Sequence, residues 1–127
     1  MKKFIIMSLM IFCAFGYAEA QNKADIKFDK TSHNFGAFSE KSPIQKCTFT
    51  FTNVGNAPLV INQVVASCGC TVPAYTKEPI APGKKGEVTI TYNGTGKPLG
   101  HFKKNITIRT NAVAEMTRIY VEGEMTK

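Results

Sequence analysis

Apolar and polar residues alternate with a period of two along most of the chain after residue 25. Ile26-Lys27-Phe28-Asp29 is a first short strand, and His33-Asn34-Phe35-Gly36-Ala37-Phe38 a second, with Phe28, Phe35 and Phe38 as anchors. Ile44 to Asn53 alternates most cleanly. Cys47, Phe49 and Phe51 fall on one face, and Lys46, Thr48, Thr50 and Thr52 on the other, which predicts a half-buried strand with a solvated outer face. Leu59 to Ser67 follows, with Leu59, Ile61 and Val64 or Val65 inward. Val88, Ile90 and Tyr92 then alternate with Glu87, Thr89 and Thr91, and two further strands run over Phe102–Thr110 and Met116–Met125, burying Ile106, Ile108, Ile119 and Val121.

Turn residues punctuate these segments. Gly55 and Asn56 tolerate positive φ and Pro58 ends ladder donation. Pro82-Gly83 marks a second turn and Asn93-Gly94-Thr95-Gly96 a loop, whereas Ala74 to Pro79 reads as irregular. No segment has helical periodicity. Six or seven short strands in about a hundred residues predict an all-β fold, an immunoglobulin-like antiparallel β-sandwich of about seven strands.

The start of the chain has a different character. Lys2 and Lys3 precede an apolar run from Phe4 to Ala14, and Ala18-Glu19-Ala20 supplies small residues at the positions that signal peptidase reads. Residues 1–20 are therefore expected to be a cleaved signal peptide, with residues 21–127 forming a single domain. Cys13 lies too deep in the apolar run to be a lipid anchor. Taking twenty residues from 127 leaves 107, enough to fold as one domain without staples. The loss of two lysines and one glutamate changes the net charge from +7 to +6. The basic residues are scattered, with Lys84-Lys85 and Lys103-Lys104 adjacent, and none interleave with aromatics on a helix. Nucleic acid is excluded as the natural partner on that ground. No transmembrane span is expected in the mature chain.

Candidate chemistry centres on Cys68-Gly69-Cys70. On a strand, the two sulfurs of a Cys-x-Cys pair share a face, which would suit a soft metal. Structural zinc wants four ligands, for which Cys47 and either His33 or His101 are the remaining candidates, although no spacing requires them. Thiol redox chemistry more often uses a pair at a helix N-terminus, and no helix is predicted. The structural alternative is a tight corner in which Gly69 permits close backbone approach. If the chain turns at Gly55 and runs back, Cys68 and Cys70 reach the end where the strand of Cys47 begins. Cys47, Cys68 and Cys70 are thus disulfide candidates, export making a bridge permissible. The structural reading is favoured, with no metal or other cofactor expected and Gly55, Asn56, Gly69 and Gly83 as structural turns. No serine sits in a nucleophile elbow, no histidine has a base–orienter partner, and no paired carboxylates or phosphate loop occur, so no catalytic residue is assigned.

Four pieces in this order, His33-Asn34-Phe35-Gly36, Phe51 to Leu59, Ser67 to Pro73 and Ile80-Ala81-Pro82-Gly83, carry a resemblance to a family of small exported bacterial proteins, domain of unknown function fifteen seventy-three. That family is similar to the ASH or hydin-type and major-sperm-protein-like sandwiches. The resemblance spans roughly Phe28 to Gly123 and implies a seven-stranded sandwich, periplasmic or surface exposure, and no established activity. Cys47 is not among the family features it carries. The expected function is an exported, non-catalytic module that binds or scaffolds an envelope or surface protein through its loops or a sheet edge. The alternatives are a metal-binding or thiol-redox protein using the Cys-Gly-Cys pair, and a periplasmic chaperone that donates a strand to clients.

Overall fold

The computed structural model describes residues 22–127. The expected signal segment, residues 1–20, lies outside the described residues. The strands are β1 (Ile26–Phe28), β2 (Ser32–Ser39), β3 (Ile44–Asn53), β4 (Ile61–Ala66), β5 (Thr71–Tyr75), β6 (Lys85–Asn93), β7 (Gly100–Thr110) and β8 (Met116–Thr126). They form two four-stranded sheets, ordered β1-β3-β6-β5 and β2-β8-β7-β4. Among the described residues no helix is long and apolar enough to cross a membrane.

The sandwich follows from alternation. Phe49, Phe51, Val88 and Ile90 of one sheet and Ile106, Ile108, Ile119 and Val121 of the other are fully buried against each other. Each such side chain contributes about 1.5–3 kcal/mol by leaving water. Phe28 and Phe35 pack at the margin of this core. Phe38 belongs to a separate cluster with Phe102 and Tyr92, whose rings stack at 4.0 Å.

Three features depart from the sequence reading. Among the described residues there are eight strands, because Thr71–Tyr75, expected to be corner and irregular chain, pairs with β6 over its whole length. The sheets are not wholly antiparallel, since β2 runs parallel to β8. Leu59 lies outside β4 and forms an isolated bridge to Ile80. The first two strands account for the parallel pair. β1 pairs with the end of β3, and then the chain leaves that sheet at Phe28 and crosses to β8 as β2. That crossing leaves most of β3 with a neighbour on one side only.

The turn glycines act in different ways. Gly83 takes φ 81°, as a Pro-Gly turn requires. Neither Gly55 nor Asn56 has positive φ. Gly55 is needed instead for close approach, because a Cβ there would run into the backbone of Lys23, Ala24 and Asp25. Gly69 permits no such approach, since a Cβ there would meet nothing within 4 Å.

Candidate functional site

The Cys68-Gly69-Cys70 segment is a turn that carries the chain from β4 in one sheet to β5 in the other. The Thr71 N–H donates to the Cys68 carbonyl at 3.1 Å, the Asn93 N–H to the Cys70 carbonyl at 2.8 Å, and the Ser67 N–H to the Asn105 carbonyl at 3.0 Å. Cys68 and Cys70 form a disulfide with Cα atoms 5.2 Å apart. The pair is therefore not two thiols on one strand face. Cys68 is half-buried and Cys70 is 7% exposed.

Cys47 does not join them. Its thiol is free and buried. The reason lies in strand order. Cys47 and Pro73 both lie opposite Ile90, so β6 separates β3 from β5. Cys70 lies three residues before Pro73, just ahead of β5, about 10 Å along the strand direction, and two strand spacings, about 9.5 Å, from β3. The two cysteines thus stand about 14 Å apart, against the roughly 7 Å limit on Cα separation in a disulfide. The turn does reach the end where β3 begins, but along the wrong edge.

Burial pushes the Cys47 thiol up to about 11, partly offset by the nearby Lys30 ammonium. Two consequences follow. Cys47 is expected to resist iodoacetamide at neutral pH until the protein unfolds, which peptide mass spectrometry after timed alkylation would show. The folded-state pKa is raised, so the stability it supports is complete below about pH 9 and is lost as pH rises towards 11. Cys47→Ala should flatten that alkaline limb of a denaturation series.

The histidines lie elsewhere. His33 stacks edge-on against Phe35 and contacts the Lys30 Nζ at 2.8 Å. Desolvation, then the Lys30 charge, hold its pKa below the usual histidine value. His101, on the same sheet as His33, pairs with Glu122 at 3.3 Å. Among the described residues no three His, Cys, Asp or Glu side chains converge on a point that could hold a metal ion. The zinc alternative built on Cys68, Cys70, Cys47 and either histidine therefore does not assemble here.

A bridge between residues two apart in sequence is also a weak staple. In the chain-entropy account it restrains so short a loop that it contributes about 1.6 kcal/mol, roughly half the value for a fifteen-residue loop. The turn's backbone hydrogen bonds hold the corner independently.

The other candidate feature is the set of sheet edges, which differ in how they are protected. On β5, the Thr76 N–H donates to Glu87 O and the Asn93 N–H to Cys70 O. That phasing turns the backbone of Val72 and Ala74 towards β6 and places Pro73, which has no N–H, outward. On β2 the pairing breaks between Asn34 and Ala37, where Gly36 takes φ 74°. On β4 it breaks between Ile61 and Gln63. β3 has no such interruption, and its register with β6 is continuous from Ile44 to Thr52. The Asn53 N–H to Lys84 O bond assigns the odd-numbered residues of β3 to β6, so the even-numbered residues point their N–H and C=O outward. β1 covers these groups only near the far end, its last contact being the Asp29 N–H to Thr50 O bond. Among the described residues, nothing pairs with the outward backbone groups of Ile44, Lys46 and Thr48, which form a regular open edge.

The basic pairs separate. Lys84 is in the loop before β6 and Lys85 begins that strand, whereas Lys103 and Lys104 are within β7. Lys103 lies over the Tyr120 ring at 5.2 Å.

Sequence reasoning passed over Asn53, which is fully buried. Its side-chain amide donates to Ala57 O at 2.8 Å and Ile80 O at 2.9 Å, and its carbonyl accepts from the N–H of Gly55 at 2.9 Å and of Asp25 at 3.3 Å. Its parity could have revealed it, since it shares a face with Cys47, Phe49 and Phe51.

Solved structures resemble this fold. A protein of unknown function from Porphyromonas gingivalis W83 superposes with a TM-score of 0.72 at 20% identity, over 83% of this chain and 48% of that one. The chain thus spans about half the length of that protein. The ASH/PapD-like domain of human CEP192 gives 0.65 at 8% identity, over 83% and 87% of the two chains. The periplasmic chaperone SfaE gives 0.60 at 10%, over 80% and 58%. At these identities the likeness is one of fold. No curated protein matches the sequence. The family model described as "Protein of unknown function (DUF1573)" matches residues 26–125, and the chain belongs to that family.

Proposed function

We propose that this chain is an exported sandwich that holds an envelope or surface protein by adding an extended segment of that partner to the open edge of β3. The observation that carries this reading is the run of outward backbone groups at Ile44, Lys46 and Thr48 beside a β6 ladder in unbroken register. Strand addition draws affinity from main-chain hydrogen bonds and needs such an edge. An added strand would continue the line of β1, which stops opposite Phe51. Export is supported by the signal-like first twenty residues and by a fold shared with a periplasmic chaperone. The strand-donating alternative is less favoured, because each of the eight strands is already paired within a sheet.

Lys46→Pro tests the reading. It removes an outward N–H and takes no donor from the β3–β6 ladder, so the fold should survive with a stability change within about 1 kcal/mol. Capture of the partner from envelope extract should fall at least about tenfold, the equivalent of about 1.4 kcal/mol. Hydrogen exchange should show the Lys46 and Thr48 amides exchanging fast in the free protein and slowed in the complex. Undiminished capture by Lys46→Pro would sink the proposal. N-terminal sequencing of the exported protein checks the expected start at Gln21.

A further inference from the structure

We propose that the Cys68–Cys70 disulfide is a site of thiol–disulfide exchange with cysteine-bearing exported proteins, Cys68 being the sulfur attacked and Cys70 the leaving and resolving thiol. The turn that holds the pair does not depend on the bridge. The Thr71 to Cys68 and Asn93 to Cys70 backbone hydrogen bonds fix the residues on both sides of Gly69. After reduction the two thiols stay on a frame whose Cα separation of 5.2 Å is within disulfide reach, so reclosure competes well with any external thiol.

The two sulfurs are unequal. Cys68 is half-buried and open to an incoming thiolate, whereas Cys70 is shielded. The Cys70 N–H donates to the Cys68 Sγ at 3.1 Å. In the dithiol state that donor favours negative charge on Cys68, which would make it the attacking thiolate in the reverse direction. Gly69 is exposed, with open space where a side chain would stand, so a client backbone can come close. Cys47 is too distant to intercept the intermediate.

The chemistry closes on itself. A client thiolate attacks the Cys68 Sγ, the S–S bond breaks, and its electron pair goes to the Cys70 Sγ, which takes a proton from water. The mixed disulfide joins client and Cys68. A second client thiolate then attacks the client sulfur of that bond, forming the client's disulfide and releasing Cys68 as thiolate. The client dithiol has lost two electrons and the Cys68/Cys70 pair has gained them. A small-molecule disulfide such as oxidised glutathione restores the bridge by the reverse exchange.

The test uses the purified exported protein, with reduced glutathione and a reduced dithiol peptide as probes, quenched with N-ethylmaleimide and read by peptide mass spectrometry. The expected result is loss of the Cys68–Cys70 bridge, oxidation of the peptide in equal amount, and mixed disulfide found on Cys68. Cys70→Ser treated with oxidised glutathione should accumulate at least about tenfold more Cys68–glutathione adduct than the native protein. Cys47→Ser should exchange as the native protein does. A bridge that stays closed in millimolar glutathione while the protein is folded would overturn the proposal. So would adducts that form first on Cys70, or on Cys47. If Cys70→Ser does not fold, the native-protein arm decides alone. Cys70→Ser lies outside β3 and leaves its edge untouched, so this outcome and partner capture can fail independently.

Discussion

Asn53→Ala is expected to lower the stability of the folded chain by about 3–5 kcal/mol, measured by urea or guanidinium denaturation. The side chain is fully buried and its amide group makes four hydrogen bonds. Two of them tie the end of β3 to the Ala57 and Ile80 carbonyls, and two gather the Gly55 and Asp25 amides. Truncation leaves the Gly55 and Asp25 amides and the Ala57 carbonyl without the Asn53 side chain, while the Ile80 carbonyl keeps only the Leu59 N–H. An unsatisfied buried group costs about 1–3 kcal/mol, and several are stranded at once. The backbone of Asn53 still bonds to Lys84 O and Gly83 N, so the lost side chain, not strand β3, accounts for the change.

Asn53→Asp separates shape from hydrogen-bond polarity. It keeps the volume but sets a carboxylate oxygen against the Ala57 and Ile80 carbonyls, where the amide nitrogen stood at 2.8 and 2.9 Å. At neutral pH the loss should at least equal that of Asn53→Ala. The carbonyls and burial favour the protonated acid and so raise its folded pKa. The penalty should therefore ease as pH falls and one oxygen becomes a donor. A loss of less than about 1 kcal/mol in either variant would show that the network adds little.

Much of this architecture is legible in the sequence wherever one face of a strand is buried. The alternation of Cys47, Phe49 and Phe51, and of Val88, Ile90 and Tyr92, maps directly onto buried positions, because a one-residue shift would turn every core side chain to solvent. Strand β5 is not legible in the same way. It is short, contains Pro73, and pairs on one side only, so neither propensity nor periodicity marks it. Strand order is not encoded in alternation at all. The insertion of β6 between β3 and β5 therefore turned a sound inference about which end Cys68 and Cys70 occupy into a false contact with Cys47. Asn53 shows the opposite case, a polar residue at core parity that reads as turn chemistry unless its face is counted.

Gly55→Ala is expected to cost about 2–4 kcal/mol and, unlike the Asn53 changes, to act by releasing one segment. A Cβ at residue 55 would stand 2.5 Å from the Asp25 amide nitrogen and 2.7 Å from the Ala24 carbonyl carbon, and closer still to the Lys23 carbonyl oxygen. These are backbone atoms, so no rotamer change relieves the clash. Either the loop after β3 moves or residues 22–28 lift away. The second route breaks the Val54 N–H to Asp25 O and Asn56 N–H to Lys23 O bonds and exposes Ala24, now 2% accessible. It also removes β1 from β3, extending the open edge from Ile44 to Asn53. Hydrogen exchange should then show Thr52 and Val54 losing protection while the odd-numbered amides of β3, bonded to β6, keep theirs. Because the longer edge offers more main-chain groups, Gly55→Ala should capture a strand-adding partner more strongly, the opposite sign to Lys46→Pro. Unchanged stability, with residues 22–28 still protected, would mean that the loop yields instead and that the edge is not set by this glycine.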